Sequence, residues 1–143
     1  MDMYYNNCVN IYKTWRFIMK KVIATSKAPG AIGPYSQAIM AGNLIYTSGQ
    51  LPMDPETGEM VGNDIVLQTR MSLKNVKAIL EEAGSSMDKI VKTTVYLSDM
   101  ANFGKMNEVY KEFFSGDYPA RSAFQVARLP KDALVEIEVV AIV

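Results

Sequence analysis

The sequence contains no histidine and only one cysteine, Cys8. The first absence removes the Ser-His-Asp triad, the HExxH zinc helix and most imidazole acid/base schemes. The second leaves no partner for an intramolecular disulfide, so nothing points to an oxidising compartment. No apolar run is long enough to span a bilayer. Net charge is also missing, with 15 Lys and Arg against 15 Asp and Glu. Binding to phosphate chains is driven by counterion release and usually shows as a basic excess, so no nucleic-acid partner is expected. Neither GxxxxGK[ST] nor GxGxxG occurs, which removes support for nucleotide binding. The acids Asp54, Glu56, Glu59, Asp88 and Asp99 lack the alternating spacing of a calcium loop. These exclusions leave a cytoplasmic protein, without a metal site or membrane segment, as the expectation.

What is present is a chain of 143 residues, 49% of them hydrophobic, which suffices for one buried core. The first eighteen residues, "MDMYYNNCVNIYKTWRFI", are aromatic and Asn-rich without clean periodicity. Lys13 and Arg16 come too late for the basic start of a signal peptide. The reading is an extension over 1–18 and one domain over 19–143, with Met19 of "MKKVIA" as the natural start and Cys8 outside the chemistry.

From Lys21 onward the elements are legible. "KVIAT" reads as a strand, and "YSQAIM" and "LIYTSG" as two strands of a hairpin turned by "AGN". Asp64 as N-cap and Gly84 past the C-terminus bracket a helix whose stripe is Leu73, Val76, Ile79, Leu80 and Ala83. "IVKTTVYLS" alternates Val91, Thr93, Val95 and Leu97 against Lys92, Thr94 and Tyr96, as a strand with unlike faces does. A second helix fits 102–114 with Phe103, Met106, Tyr110 and Phe113 on one side. "RSAFQV" and "LVEIEVVAIV" close the chain as strands.

The last strand sets the fold class. Val135, Ile137, Val139, Ala141 and Val143 form an unbroken apolar face for two helices to cover. Glu136 and Glu138 share the other face with Val140 and Ile142, which a lone copy leaves wet. An α+β fold follows, with a mixed sheet, two helices on one face, and a homo-oligomer covering part of the other.

The stretch "DYPARSAFQV" puts a guanidinium at a strand's mouth. If Phe124 and Val126 face the helices, Arg121, Ala123 and Gln125 face the side of Glu136 and Glu138. A hairpin turn between Leu129 and Pro130 then sets Ala123 opposite Glu136 and Arg121 opposite Glu138. An arginine beside small Ala123 is suited to grip a carboxylate with both arms of its fork. A nearby carboxylate, Glu136, can hold or deprotonate a water. An ion pair between Arg121 and Glu138 with no further role explains the same residues. Gly33 and Pro34 present Tyr35 for a ligand or for a core rim. In "TSGQ", Gly49 permits close approach to the backbone and Ser48 offers a hydroxyl, as any strand end does. Asn107 on the second helix is a polar candidate or a solvated face.

Taken in order, "IGPYSQAI", "YTSGQLP", "QTRMSLKNVKAILEEAGSSMDKIVKTTVYLSDM", "MNEVYKEFF", "YPARSAFQVARLP" and "LVEIEVVAI" resemble the RidA (YjgF) family of enamine/imine deaminases over about residues 19–143. The resemblance implies a fold similar to the single-domain bacterial chorismate mutase and a homotrimer with three clefts between subunits. It implies cofactor-free hydrolysis of 2-imino acids such as 2-aminoacrylate and 2-iminobutanoate to 2-keto acids and ammonia. By position, Arg121 would bind the substrate carboxylate, Glu136 would position the water, and Tyr35 would close the pocket from the adjacent subunit. Ser48, Gly49 and Asn107 would line it. Many members carry cysteine where this chain has Ala123 and members with alanine are common, which argues against a thiol role but not against the activity. Two other classes compete: an endoribonuclease or translation inhibitor, a label the family has also carried, and a non-catalytic small-carboxylate-binding or chaperone-like module.

Overall fold

The computed structural model describes residues 20–143. The proposed 1–18 extension and Cys8 lie outside the described residues. Among the described residues, six strands form one sheet: β1 (Lys21–Ile23), β2 (Ala38–Ala41), β3 (Leu44–Thr47), β4 (Ile90–Leu97), β5 (Ala120–Gln125) and β6 (Val135–Ile142). Their order is β1-β2-β3-β6-β4-β5, and every pair is antiparallel except β4 with β5. Two helices, α1 (Ile65–Glu82) and α2 (Phe103–Tyr110), pack against one face.

The local rules account for the elements. Asp64 caps α1, its carboxylate accepting from the N–H of Val66 and Leu67 at 2.9 and 3.0 Å, as an N-cap side chain does. Gly84 adopts φ +81° beyond the helix end, where a side chain would be strained. Leu73, Val76, Ile79 and Leu80 have no exposed surface, so the expected stripe is the buried one. At about 1.5–3 kcal/mol per fully buried aliphatic side chain, this stripe fastens α1 to the sheet. The β2–β3 hairpin turns at Gly42 and Asn43, with only Gly42 in the left-handed region. A register shift between Ile90 and Lys92 turns Ile90 inward and leaves Val91 exposed, against the simple alternation expected of β4. The second helix is shorter than expected, its last turn tightening into a 3₁₀ turn at Lys111–Phe113.

The largest correction concerns β5. No β5–β6 hairpin forms: β4 lies between them, pairing in parallel with β5 and antiparallel with β6. The chain leaves β4, crosses through α2 and returns in the same direction, which makes β5 the parallel partner of β4. β6 then enters the sheet's centre between β3 and β4, where its apolar face is needed. The expected facing of β5 is reversed as well. Arg121 aligns with buried Thr93 and, across β4, with buried Val139, so it lies on the helix side. Phe124 aligns with Tyr96 and Glu136 on the open face and is 52% exposed. Reading apolar side chains as helix-facing fails on this strand because the open face is apolar too: Val22, Tyr46, Phe124 and Ile142 are all exposed.

Candidate active site

The sequence candidates separate into two half-sites. Tyr35, Ser48, Gly49 and Glu136 surround a cavity of about 500 Å³, also lined by Met53 and Lys131. Asn107 and Arg121 line a second cleft of about 470 Å³ with Tyr110 and Tyr118, between α2 and the edge strand. Ala123 follows Arg121 on the same side of β5 and packs partly into the core. Within one chain, Arg121 and Glu136 are on opposite faces of the sheet, with β4 between their strands. Arg121 does not approach Glu138, whose carboxylate accepts the Tyr96 hydroxyl at 3.0 Å.

In the first half-site, Gln50 bridges to Ile137 of β6, which lays Gly49 alongside Glu136. The Glu136 carboxylate rests against the Gly49 backbone: a Cβ there would sit 2.8 Å from Glu136 Cδ and collide with the carboxylate oxygen. Only glycine at 49 leaves the carboxylate in this place. Burial pushes the Glu136 carboxyl above the usual glutamate range, and the charge of Glu138 adds to the effect. The Ser48 hydroxyl donates to the Ser36 carbonyl at 2.6 Å, so it meets a ligand only as an acceptor. Tyr35 is half-exposed. It sits on a tight turn in which its N–H reaches the Gly33 carbonyl at 2.9 Å, with Gly33 at φ +123°.

In the second half-site, Arg121 stands over two rings, its guanidinium carbon 4.6 Å from the Tyr110 centroid and 5.5 Å from that of Phe103. Among the described residues its side chain makes no ion pair with a carboxylate, whereas Arg70 and Arg128 each hold one. A cation supported by π faces keeps its N–H donors for a ligand.

Three participants escape sequence reading. Gln37 is buried; its amide donates to the carbonyls of Thr25, Ala28 and Pro29 at 3.0, 3.2 and 2.8 Å and accepts from Thr25 N–H at 2.7 Å. It ties down the segment that leads to Tyr35. Gln37→Ala leaves these groups without partners and should cost about 2–4 kcal/mol, measured by chemical denaturation; an unchanged midpoint would remove this role. Lys131 enters the Glu136 cavity from a loop in which Lys131 and Asp132 both have φ 56°. Arg128 pairs with the same loop on the surface, donating to Asp132 at 2.7 and 3.1 Å. The Ser-Gln and Pro-Lys-Asp spellings offer no sign of these contacts. Tyr110 is legible only as a core residue.

A six-stranded mixed sheet with two helices on one face, carrying two separate clefts, defines a small α+β domain. The family model for endoribonuclease L-PSP matches residues 25–143, and the chain belongs to that family, the Rid family. It is 49% identical over 125 residues to the 2-iminobutanoate/2-iminopropanoate deaminase of Homo sapiens, covering 87% of this chain and 91% of that one. A Rid-family protein of Yersinia pestis superposes with TM-score 0.86 at 52% identity, over 87% of this chain and 100% of the other. Escherichia coli TdcF, crystallised with bound serine, gives TM-score 0.83 at 50% identity, over 86% and 98% of the two chains.

Proposed function

We propose that this chain hydrolyses small 2-imino acids to 2-keto acids and ammonia, in clefts formed between three copies of itself. The observation that carries this reading is the division of the chemistry. Among the described residues, Arg121 has donors for a carboxylate while the one carboxylate lining its cleft, Glu108, is paired with Lys111, and the Glu136 cavity has a base and the Lys131 ammonium but no guanidinium fork. A neighbouring copy supplies the missing half, and the exposed apolar sheet face gives the copies a reason to associate. The deaminase name of the human relative and the serine bound to TdcF, an α-amino acid with the same carboxylate, support the ligand class.

The geometry performs the reaction as follows. The Arg121 fork takes the α-carboxylate and fixes the C=N carbon. Glu136, as the carboxylate, accepts a proton from water while the water oxygen bonds to that carbon, and the C=N π pair becomes a lone pair on nitrogen. Glu136 passes that proton to nitrogen to give the carbinolamine, then takes the hydroxyl proton and delivers it to the same nitrogen, so the O–H pair forms C=O as the C–N bond breaks and ammonia leaves. Water is the sole co-reactant. Asn107, Ser48 and Tyr35 border the substrate, with Tyr35 closing the cleft from the adjacent copy, and Ala123 leaves it room.

Two variants test the shared site together. Arg121→Ala and Glu136→Ala should each be inactive, yet refolding them together at equal amounts should restore about a quarter of wild-type specific activity, because a mixed closed trimer carries one intact pairing. The measurement couples a threonine dehydratase to the mixture and follows 2-oxobutanoate. Recovery absent in a mixture proven to contain mixed trimers overturns the shared site. A wild-type trimer that gives no acceleration over spontaneous hydrolysis overturns the deaminase reading.

A further inference from the structure

We propose that Tyr110 is a positioning residue for Arg121, a π-faced support that orients the guanidinium without consuming any of its donors. This rests on the reading of Arg121 as the carboxylate anchor. Thr93 and Arg121 are neighbours across the parallel β4–β5 pair and both face α2. From α2, buried Tyr110 reaches down between them, its hydroxyl 2.8 Å from the Thr93 hydroxyl and its ring face under the Arg121 guanidinium at 4.6 Å. The ring also packs against Phe114, with centroids 4.8 Å apart. One residue is therefore held at its hydroxyl, by a neighbouring ring and by burial, leaving a face for the cation.

A carboxylate in that place would orient Arg121 equally well, but it would take two N–H donors and cancel the charge that a substrate carboxylate needs. An aromatic ring attracts the cation through its quadrupole and occupies no donor. Burial and the packed Phe114 ring keep the face of Tyr110, and not its edge of opposite polarity, toward the cation, while the hydroxyl bond to Thr93 anchors the far end of the ring.

The test reads Arg121 itself. In ¹⁵N-edited NMR, the Arg121 Nε–Hε resonance, assigned by its loss in Arg121→Lys, should lie upfield of the other arginines in the wild type and in Tyr110→Phe, because both keep the ring face. Tyr110→Leu should return it to the ordinary position. A wild-type resonance without the upfield displacement overturns the proposal with no variant needed. In parallel, the Kd of 2-oxobutanoate by calorimetry should rise about three- to thirtyfold in Tyr110→Leu and stay within about threefold in Tyr110→Phe. KM should follow Kd in Tyr110→Leu while kcat stays close to wild type. Equal loss in both variants assigns Tyr110 a merely structural role and also overturns the proposal. The resonance is read without substrate, so a failure of the deaminase reading leaves this test standing.

Discussion

Arg121→Lys should lower kcat/KM for 2-iminobutanoate about 10- to 100-fold, because one ammonium replaces a planar fork and about 1.5–3 kcal/mol of charge-assisted hydrogen bonding is lost. The positive charge is preserved, so a loss of this size measures geometry. Lysine is also a worse fit for the platform beneath it: the flat guanidinium stacks on Tyr110 and Phe103, whereas an ammonium is a compact, strongly hydrated point charge. The decline should appear in both KM and kcat, since an imino acid held by one contact pivots and its C=N carbon leaves the line of the attacking water. The dehydratase-coupled assay with a trap for free imine reads both constants. Wild-type turnover in the lysine variant would remove Arg121 from the site.

The parts of the molecule legible in the sequence are those whose cause is local. Asp64, the apolar stripe and Gly84 lie within or beside one helix, and each acts on its neighbours, so α1 is readable end to end. The β2–β3 hairpin is equally local. The pairing of β5 is not, because it depends on α2 returning the chain parallel to β4, and no residue in "RSAFQV" records that route. Facing follows pairing: once β5 sits at the edge, Phe124 belongs to a surface that other copies can cover, and Arg121 turns to the aromatic side of α2. The facing of Arg121 was thus not readable from its own strand. The resemblance set Tyr35 on the adjacent subunit; that Tyr35 shares a cavity with Glu136 while Arg121 lines a separate cleft of the same chain appears only with the strand order.

Glu136→Gln should reduce kcat/KM about 10²- to 10⁴-fold, the range for removing a general base, and should erase the acid limb of the pH profile. The sign follows from its surroundings. Burial first and the Glu138 charge second raise the Glu136 pKa, so the proton-accepting carboxylate is lost at a pH above the ordinary glutamate range, and wild-type activity relative to spontaneous hydrolysis should fall there. The same shift acts oppositely on stability. The folded state holds the proton more tightly than the unfolded chain, so stability declines as pH rises from the ordinary glutamate pKa through the raised one. Glutamine has no such cost, and the variant should exceed wild type in denaturation midpoint at neutral pH, with the difference closing below the ordinary glutamate range. Gly49→Ala provides the complementary perturbation, since the added methyl occupies the carboxylate's place. A displacement of about 1 Å suffices for about a 100-fold loss with Glu136 still present. Full activity in Gly49→Ala together with an intact acid limb in Glu136→Gln would transfer the base to another residue, because the carboxylate that rests against the Gly49 backbone is that of Glu136.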